Sequence, residues 1–276
     1  MLEARARGQR IAFVPTMGYL HEGHLSLLRE GRKRGDILVL SIFVNPTQFG
    51  PNEDLARYPR DLAGDLAKAA SAGTDLAFVP EPAAMYPDGY QTYVDVREVS
   101  KGQCGDRRPG HFVGVATVVL KLFNLVQPRV AVFGKKDFQQ LRVIRDLVQQ
   151  FNLPIEIVAG ATLREADGLA MSSRNGYLTP VERAQAPQLH RELATLAAAV
   201  GAGERAYDTL VATARRRLNM AGWRVDYITV RDAATLTAPT VATTHAVVLG
   251  AAWLGKTRLI DNLECALPNL PLGDPG

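Results

Sequence analysis

The stretch RIAFVPTMGYLHEGHLSLLREGRKRGDILVLSIFV, residues 10–44, decides the fold. Arg10–Thr16 is a short apolar run that ends in a turn. Gly23–Arg34 has helical spacing, with Leu25 and Leu28 on one face and Arg29 and Lys33 on another. Asp36–Val44 is apolar almost without a break, the pattern of a strand covered on both faces of a parallel sheet. The alternation continues. Periodicity predicts helices over Asp61–Ala72, His111–Val126 and Phe138–Phe151, and strands over Asp75–Val79, Arg129–Phe133 and Ile155–Ala159. The expected fold class is α/β, a Rossmann-like doubly wound parallel sheet, and such sheets bind ligands beyond the carboxyl ends of their strands.

After about Ala161 the pattern changes. Pro180–Val200 and Ala206–Ala221 read as helices, and Asp226–Val230, His245–Leu249 and Arg258–Ile260 as short strands. Helices first and strands later imply a smaller α+β domain. The expected division is residues 1–162 for the sheet domain and 163–276 for a C-terminal lid domain. Of 276 residues, 47% are hydrophobic and 22% charged, ordinary globular values. Cys104 and Cys265 have no partners at metal-ligand spacing and make no disulfide framework, which fits a reducing compartment. Met1–Arg10 lacks a signal-peptide core and no apolar run is long enough to span a bilayer, so a cytoplasmic protein without a membrane partner is expected. The net charge of +4 is spread along the chain. Its one small cluster, Arg215–Arg217, would point in several directions on a helix, so no nucleic-acid partner is expected.

Four polar clusters follow the predicted strands. The first is Met17-Gly18-Tyr19-Leu20-His21-Glu22-Gly23-His24, between the first strand and first helix. A helix N-terminus presents unpaired N–H groups and the positive end of the dipole, so it attracts phosphate. Two imidazoles there can hydrogen-bond phosphate oxygens, and Gly23 lets a nucleotide approach the backbone. The bland alternative is a pair of surface histidines. That two of five histidines are packed into H-x-G-H after a strand favours function. The second is Met171-Ser172-Ser173-Arg174, whose hydroxyls and guanidinium make a phosphate clamp but whose composition is ordinary for a loop. The third is Gly134-Lys135-Lys136-Asp137, where a lysine can neutralise phosphate charge and Asp137 can cap a helix. The fourth, Asn45 to Gln48, ends a buried strand in two amides, which bind hydroxyls and carboxylates without adding charge. Asn45-Pro46 is also a plain turn signal.

A further motif is a decoy. Gly250–Thr257 matches the P-loop pattern G-x-x-x-x-G-K-T, yet Arg258-Leu259-Ile260 comes next as a strand where a P-loop needs a helix. A tight turn between strands is the expected structure.

H-x-G-H with M-S-S-R-N resembles the paired signatures of the nucleotidylyltransferase and class I tRNA synthetase superfamily. More narrowly, FVPTMGYLHEGH, SIFVNPTQFGPNEDLARYPRDL, RPGHFVGVATVVLKLFNLVQP, FGKKDFQQLRVIRDLV, READGLAMSSRNGYL and AAWLGKTRLIDN resemble the pantoate–β-alanine ligases, in family order and over most of the chain. The resemblance implies that pantoate attacks the α-phosphate of ATP, with Mg2+, and that β-alanine then displaces AMP. It places ATP against Met17, Gly18, Tyr19, Leu20, His21, Glu22, Gly23 and His24, against Gly134, Lys135, Lys136 and Asp137, and against Met171, Ser172, Ser173 and Arg174. Leu163 falls at the adenine. Gln48 and Gln140 would hold pantoate, with Asn45 and Tyr58 nearby and Gln48 beside the β-alanine path. His24 would be the catalytic acid, with Lys136, His21 and Arg174 as further catalytic residues. The protein ligands of Mg2+, if any, stay open, and a homodimer is implied. Two departures stand out. Lys135 replaces the family's usual acid, and only twelve residues precede Phe13, where family members carry an additional strand and part of a helix.

Overall fold

In chain order the first half runs α1 (Leu2–Ala6), β1 (Ile11–Thr16), α2 (Glu22–Arg32), β2 (Ile37–Ile42), α3 (Leu62–Ser71), β3 (Leu76–Phe78), α4 (Pro82–Met85), α5 (Gln103–Arg107), α6 (His111–Val126), β4 (Val130–Gly134), α7 (Phe138–Gln150) and β5 (Glu156–Gly160). The computed structural model describes residues 1–51 and 53–268. Two units separate: Met1–Leu163 with Met171–Ser173, and Arg164–Ala170 with the chain from Arg174 onward.

The five strands of the first unit are parallel, in the order β3-β2-β1-β4-β5. The chain walks outward from β1 to β3, then returns to the other side of β1 for β4 and β5. The switch point therefore lies between β1 and β4, where such sheets open a crevice at their carboxyl ends. Both sheet faces are covered, which explains the unbroken apolar runs. Ile11 and Phe13 enter a core with Phe123 of α6 and Leu141, Ile144 and Leu147 of α7. Ala12 and Val14 enter the opposite core with Leu28 of α2 and Ala69 of α3. Phe123 packs edge-on against both Phe13 and Phe133, at 6.4 and 6.3 Å between centroids. Full burial of each such ring contributes about 1.5–3 kcal/mol.

The second unit runs α8 (Pro180–Gln185), α9 (Gln188–Gly201), α10 (Tyr207–Met220), β6 (Arg224–Asp232), β7 (His245–Leu254) and β8 (Thr257–Ala266), with an antiparallel sheet in the order β6-β7-β8. The single helix read over Pro180–Val200 is two, broken where Pro187 lacks an N–H and its ring opposes a continuing helix. Strands β7 and β8 are longer than their apolar runs. Leu254 pairs with Thr257, so the decoy Gly250–Thr257 is strand and two-residue hairpin turn, with Gly255 at φ +56°. Arg164 reaches β8, where its guanidinium forms a two-bonded pair with buried Asp261 at 2.7 and 2.9 Å. His190 adds a third contact to that carboxylate at 3.1 Å.

Candidate active site

His21 is the N-cap of α2. Its Nδ1 accepts the Gly23 N–H at 3.1 Å, while Nδ1 of His24 accepts the His21 N–H at 3.3 Å. The two imidazoles thus form a reciprocal capping box, and their rings are in tilted contact, 4.1 Å between centroids and 41° between planes. Because each Nδ1 accepts, each ring carries its proton on Nε2. Burial first, then the ammonium groups of Lys136 and Lys68, pull His21 down to about 4, against Asp137. Burial, then His21, Lys136 and Lys68, hold His24 well below the usual range. Both are neutral N–H donors at neutral pH. Gly23 has a structural reason beyond ligand approach: a Cβ there would lie 2.9 Å from the His21 ring. The Glu22 side chain is turned to an ion pair with Arg29 along the helix.

Strand β2 ends in an amide network. Asn45, 1% exposed, donates from Nδ2 to Gln48 Oε1 and to the Gly114 carbonyl, both at 3.1 Å. Its Oδ1 accepts from Thr47 Oγ1 at 2.9 Å and from the Tyr86 hydroxyl at 2.8 Å. The Asn45 amide is thus engaged at both ends by partners within the protein. Its effect is to orient Gln48, whose Nε2 donates toward Met17 Sδ at 3.3 Å. That contact joins the first and fourth clusters. The Tyr58 ring is buried, edge-on to Phe49 at 5.8 Å, behind the same loop. Gln140 is half-buried in the first turn of α7. Its neighbour Gln139 is a staple: its Nε2 donates to the Val99 and Lys101 carbonyls and its Oε1 accepts from the Cys104 N–H.

Strand β4 delivers Gly134, and Lys135, Lys136 and Asp137 form one 3-10 turn before α7. Asp137 takes the N-cap position of α7 without a side-chain cap bond, so capping is not what its carboxylate does. Lys136 is close enough to lower both histidines. The segment Met171–Ser173 belongs to the same unit. Ser173 Oγ donates to the Tyr19 carbonyl at 3.2 Å, Met171 lies beside Gly23, and the Met171 N–H bonds the Leu163 carbonyl at 3.0 Å. Ser172 adjoins them in the chain, and Arg174 is counted with the C-terminal unit.

Two groups of residues carry no motif and were missed by reading the sequence. Asp65 and Lys68 of α3 grip the turn before His21. Arg108 forms a two-bonded pair with Glu53, both at 2.6 Å, and with His111 it donates to the Gln48 carbonyl. Burial, then Arg108, pulls His111 down to about 4. Helical phase marks none of these side chains as polar partners of a loop far away in sequence.

Among the described residues no group of three or more His, Cys, Asp or Glu is placed to hold a metal ion. No helix among them is long and apolar enough to cross a membrane.

A parallel sheet with its switch point beside a helix N-terminus is the architecture of a nucleotide-binding α/β protein. A family model described as pantoate-beta-alanine ligase matches residues 1–264. The chain is 61% identical to pantothenate synthetase of Thiobacillus denitrificans over 95% of this chain and 93% of the relative. It is 57% identical to that of Myxococcus xanthus, over 94% and 90%. The crystal structure of pantothenate synthetase from Thermus thermophilus superposes with a TM-score of 0.89 at 44% identity, covering 95% of this chain and 96% of that one. The pantoate-beta-alanine ligase of Francisella tularensis, complexed with beta-gamma ATP and beta-alanine, gives 0.79 at 34% identity, covering 93% and 90%. The chain belongs to the pantoate–β-alanine ligase family.

Proposed function

We propose that this chain condenses pantoate with β-alanine in two steps. The pantoate carboxylate attacks the α-phosphate of ATP, giving pantoyl adenylate and pyrophosphate. The β-alanine amine then attacks the acyl carbon and AMP leaves. Family membership supports the reaction, and the Francisella relative complexed with beta-gamma ATP and beta-alanine supports the substrates. The observation that carries the site assignment is the imidazole capping box at the switch point, with the Gln48 amide held beside Met17.

In this reading negative charge gathers on the α-phosphate and the leaving pyrophosphate. Neutral Nε2–H donors of His21 and His24, the α2 N-terminus and the Lys136 ammonium are aimed at it, and fixed donors of this kind stabilise the transition state more than bound ATP. Gln48, its oxygen tied to Asn45, offers its NH2 to the acid substrate. The M-S-S-R-N motif supports assigning Ser172, Ser173 and Arg174 to the phosphates and the C-terminal unit to the role of lid. Among the described residues none form a cage for Mg2+, and a Mg2+ would then travel on the nucleotide's phosphates. A homodimer and a cytoplasmic location complete the proposal, both on family resemblance.

A panel of pantoate, β-alanine and Mg-ATP, each omitted in turn, tests the reading. AMP and pyrophosphate appear only when pantoate is present. ADP as the nucleotide product overturns it.

A further inference from the structure

The turn that delivers H-x-G-H is gripped by side chains of α3. Gly18 and Tyr19 both have left-handed backbone, at φ +82° and +52°. For Tyr19, which carries a Cβ, that conformation is disfavoured and needs an external hold. The Tyr19 N–H donates to Asp65 Oδ2 at 2.7 Å and the Leu20 N–H to Asp65 Oδ1 at 2.6 Å. Lys68, one turn further along α3, donates from Nζ to the Leu20 carbonyl at 3.0 Å. Successive N–H groups that converge in a turn make a concavity for an anion. Here the concavity is filled by the protein's own carboxylate, which is 1% exposed.

We propose that Asp65 and Lys68 are positioning residues of the phosphate site, fixing the Gly18–Leu20 turn so that His21 and His24 present their N–H donors in one geometry. The inference rests on the adenylation reading above. It also goes further, because it separates binding from chemistry. The Asp65 carboxylate is a negative charge beside a site for phosphates, so its presence does not help ATP bind. Removing it frees two N–H donors that attract phosphate on their own. ATP affinity is then kept while the alignment of the α-phosphate is lost. Misplacement of about an ångström costs on the order of 100-fold in rate.

The test uses the full chain. Asp65→Ala is expected to lose about 100-fold in single-turnover pantoyl-adenylate formation while ATP affinity stays within about threefold. A residue that only stabilises the fold lowers rate and bound ATP together, with the folded fraction. Lys68 is exposed, so Lys68→Met folds even where Asp65→Ala does not. In Lys68→Met the histidine NMR titrations of His21 and His24 move up. Lys136, Asp137 and the imidazole pair, the other groups acting on those rings, are left in place. Lys68→Arg keeps charge and donor, and restores the wild-type rate to within about threefold. Folded Asp65→Ala with a normal rate, or with rate and ATP affinity lost in parallel, overturns the role of Asp65. Unmoved titrations in Lys68→Met overturn that of Lys68. Failure of the wild type to form pantoyl adenylate defeats the underlying reading instead. ATP-induced shifts of the His21 and His24 resonances, present in wild type and altered in Asp65→Ala, still judge the positioning role.

Discussion

Nδ1 of His24 accepts the backbone N–H of His21 at 3.3 Å, and this bond fixes which nitrogen of His24 carries its proton. The ring is left as a neutral Nε2–H donor at the start of α2. His24→Ala therefore removes both a cap and a phosphate donor. It is expected to slow adenylation about 100- to 1000-fold, the usual loss for one such donor. His24→Asn, which can restore a cap acceptor but not the reach of Nε2, recovers stability without rate. Thermal melting and single-turnover kinetics on the two variants separate these effects.

Lys136→Ala is expected to fall in the same range, whereas Lys256→Ala keeps near-normal turnover because Lys256 sits in the β7–β8 hairpin turn. Steady-state AMP release distinguishes them. A folded, inactive Lys256→Ala beside an active Lys136→Ala reverses the assignment of the nucleotide site.

Asn45→Ala frees the Gln48 amide to turn. The expected outcome is a KM for pantoate raised about tenfold, corresponding to about 1.4 kcal/mol, with the KM for ATP little changed. Initial rates with each substrate varied check the split. A rise in both KM values contradicts the view that Asn45 acts through Gln48.

Much of this was legible in the sequence, for definite reasons. A strand buried on two faces cannot alternate, so DILVLSIFV announced a parallel sheet. The Gly250–Thr257 decoy was resolved by its C-terminal neighbours, since the aliphatic pair Leu259-Ile260 after Gly-Lys-Thr continues as β8 and not as a helix. H-x-G-H was visible because both partners lie within one turn. What the sequence hid depends on contacts across long separations. Asp65 lies 46 residues from Tyr19 and Arg108 lies 55 from Glu53, so no local pattern connects them. The Asn45 network was hidden for the same reason: an isolated amide reveals its chemistry but not which partners, such as Gly114 and Tyr86, engage it.

Folding stability should depend on pH through buried histidines. Folded His21 and His111 hold their protons only near pH 4, whereas unfolded histidine binds one below about 6.5. Between those values the unfolded state carries more protons, so stability falls as pH falls from 6.5 toward 4 and is flat with respect to these groups above 6.5. Each contributes at most about 1.4 kcal/mol per pH unit. Urea midpoints measured across pH 7.5 to 4.5 check the slope, and His111→Gln makes it shallower.

In the C-terminal unit, Asp261→Ala leaves the largely buried Arg164 guanidinium without its carboxylate. The expected loss is about 3–5 kcal/mol, read by denaturant unfolding. Burial alone would raise the Asp261 carboxyl, but His190 and Arg164 outweigh it and hold it below the usual range. Its stabilising contribution is therefore present above the ordinary aspartate range and lost only as pH falls through the lowered value.

The central claim, that the carboxylate of pantoate is activated as an adenylate, is tested most directly by isotope transfer. Pantoate labelled with oxygen-18 in its carboxylate is turned over with unlabelled ATP and β-alanine, and the AMP is weighed by mass spectrometry. Attack of the carboxylate on the α-phosphate leaves one labelled oxygen in AMP when the amine cleaves the acyl carbon–oxygen bond. AMP carrying one oxygen-18 is the predicted result. Unlabelled AMP, or label recovered in inorganic phosphate beside ADP, contradicts the account.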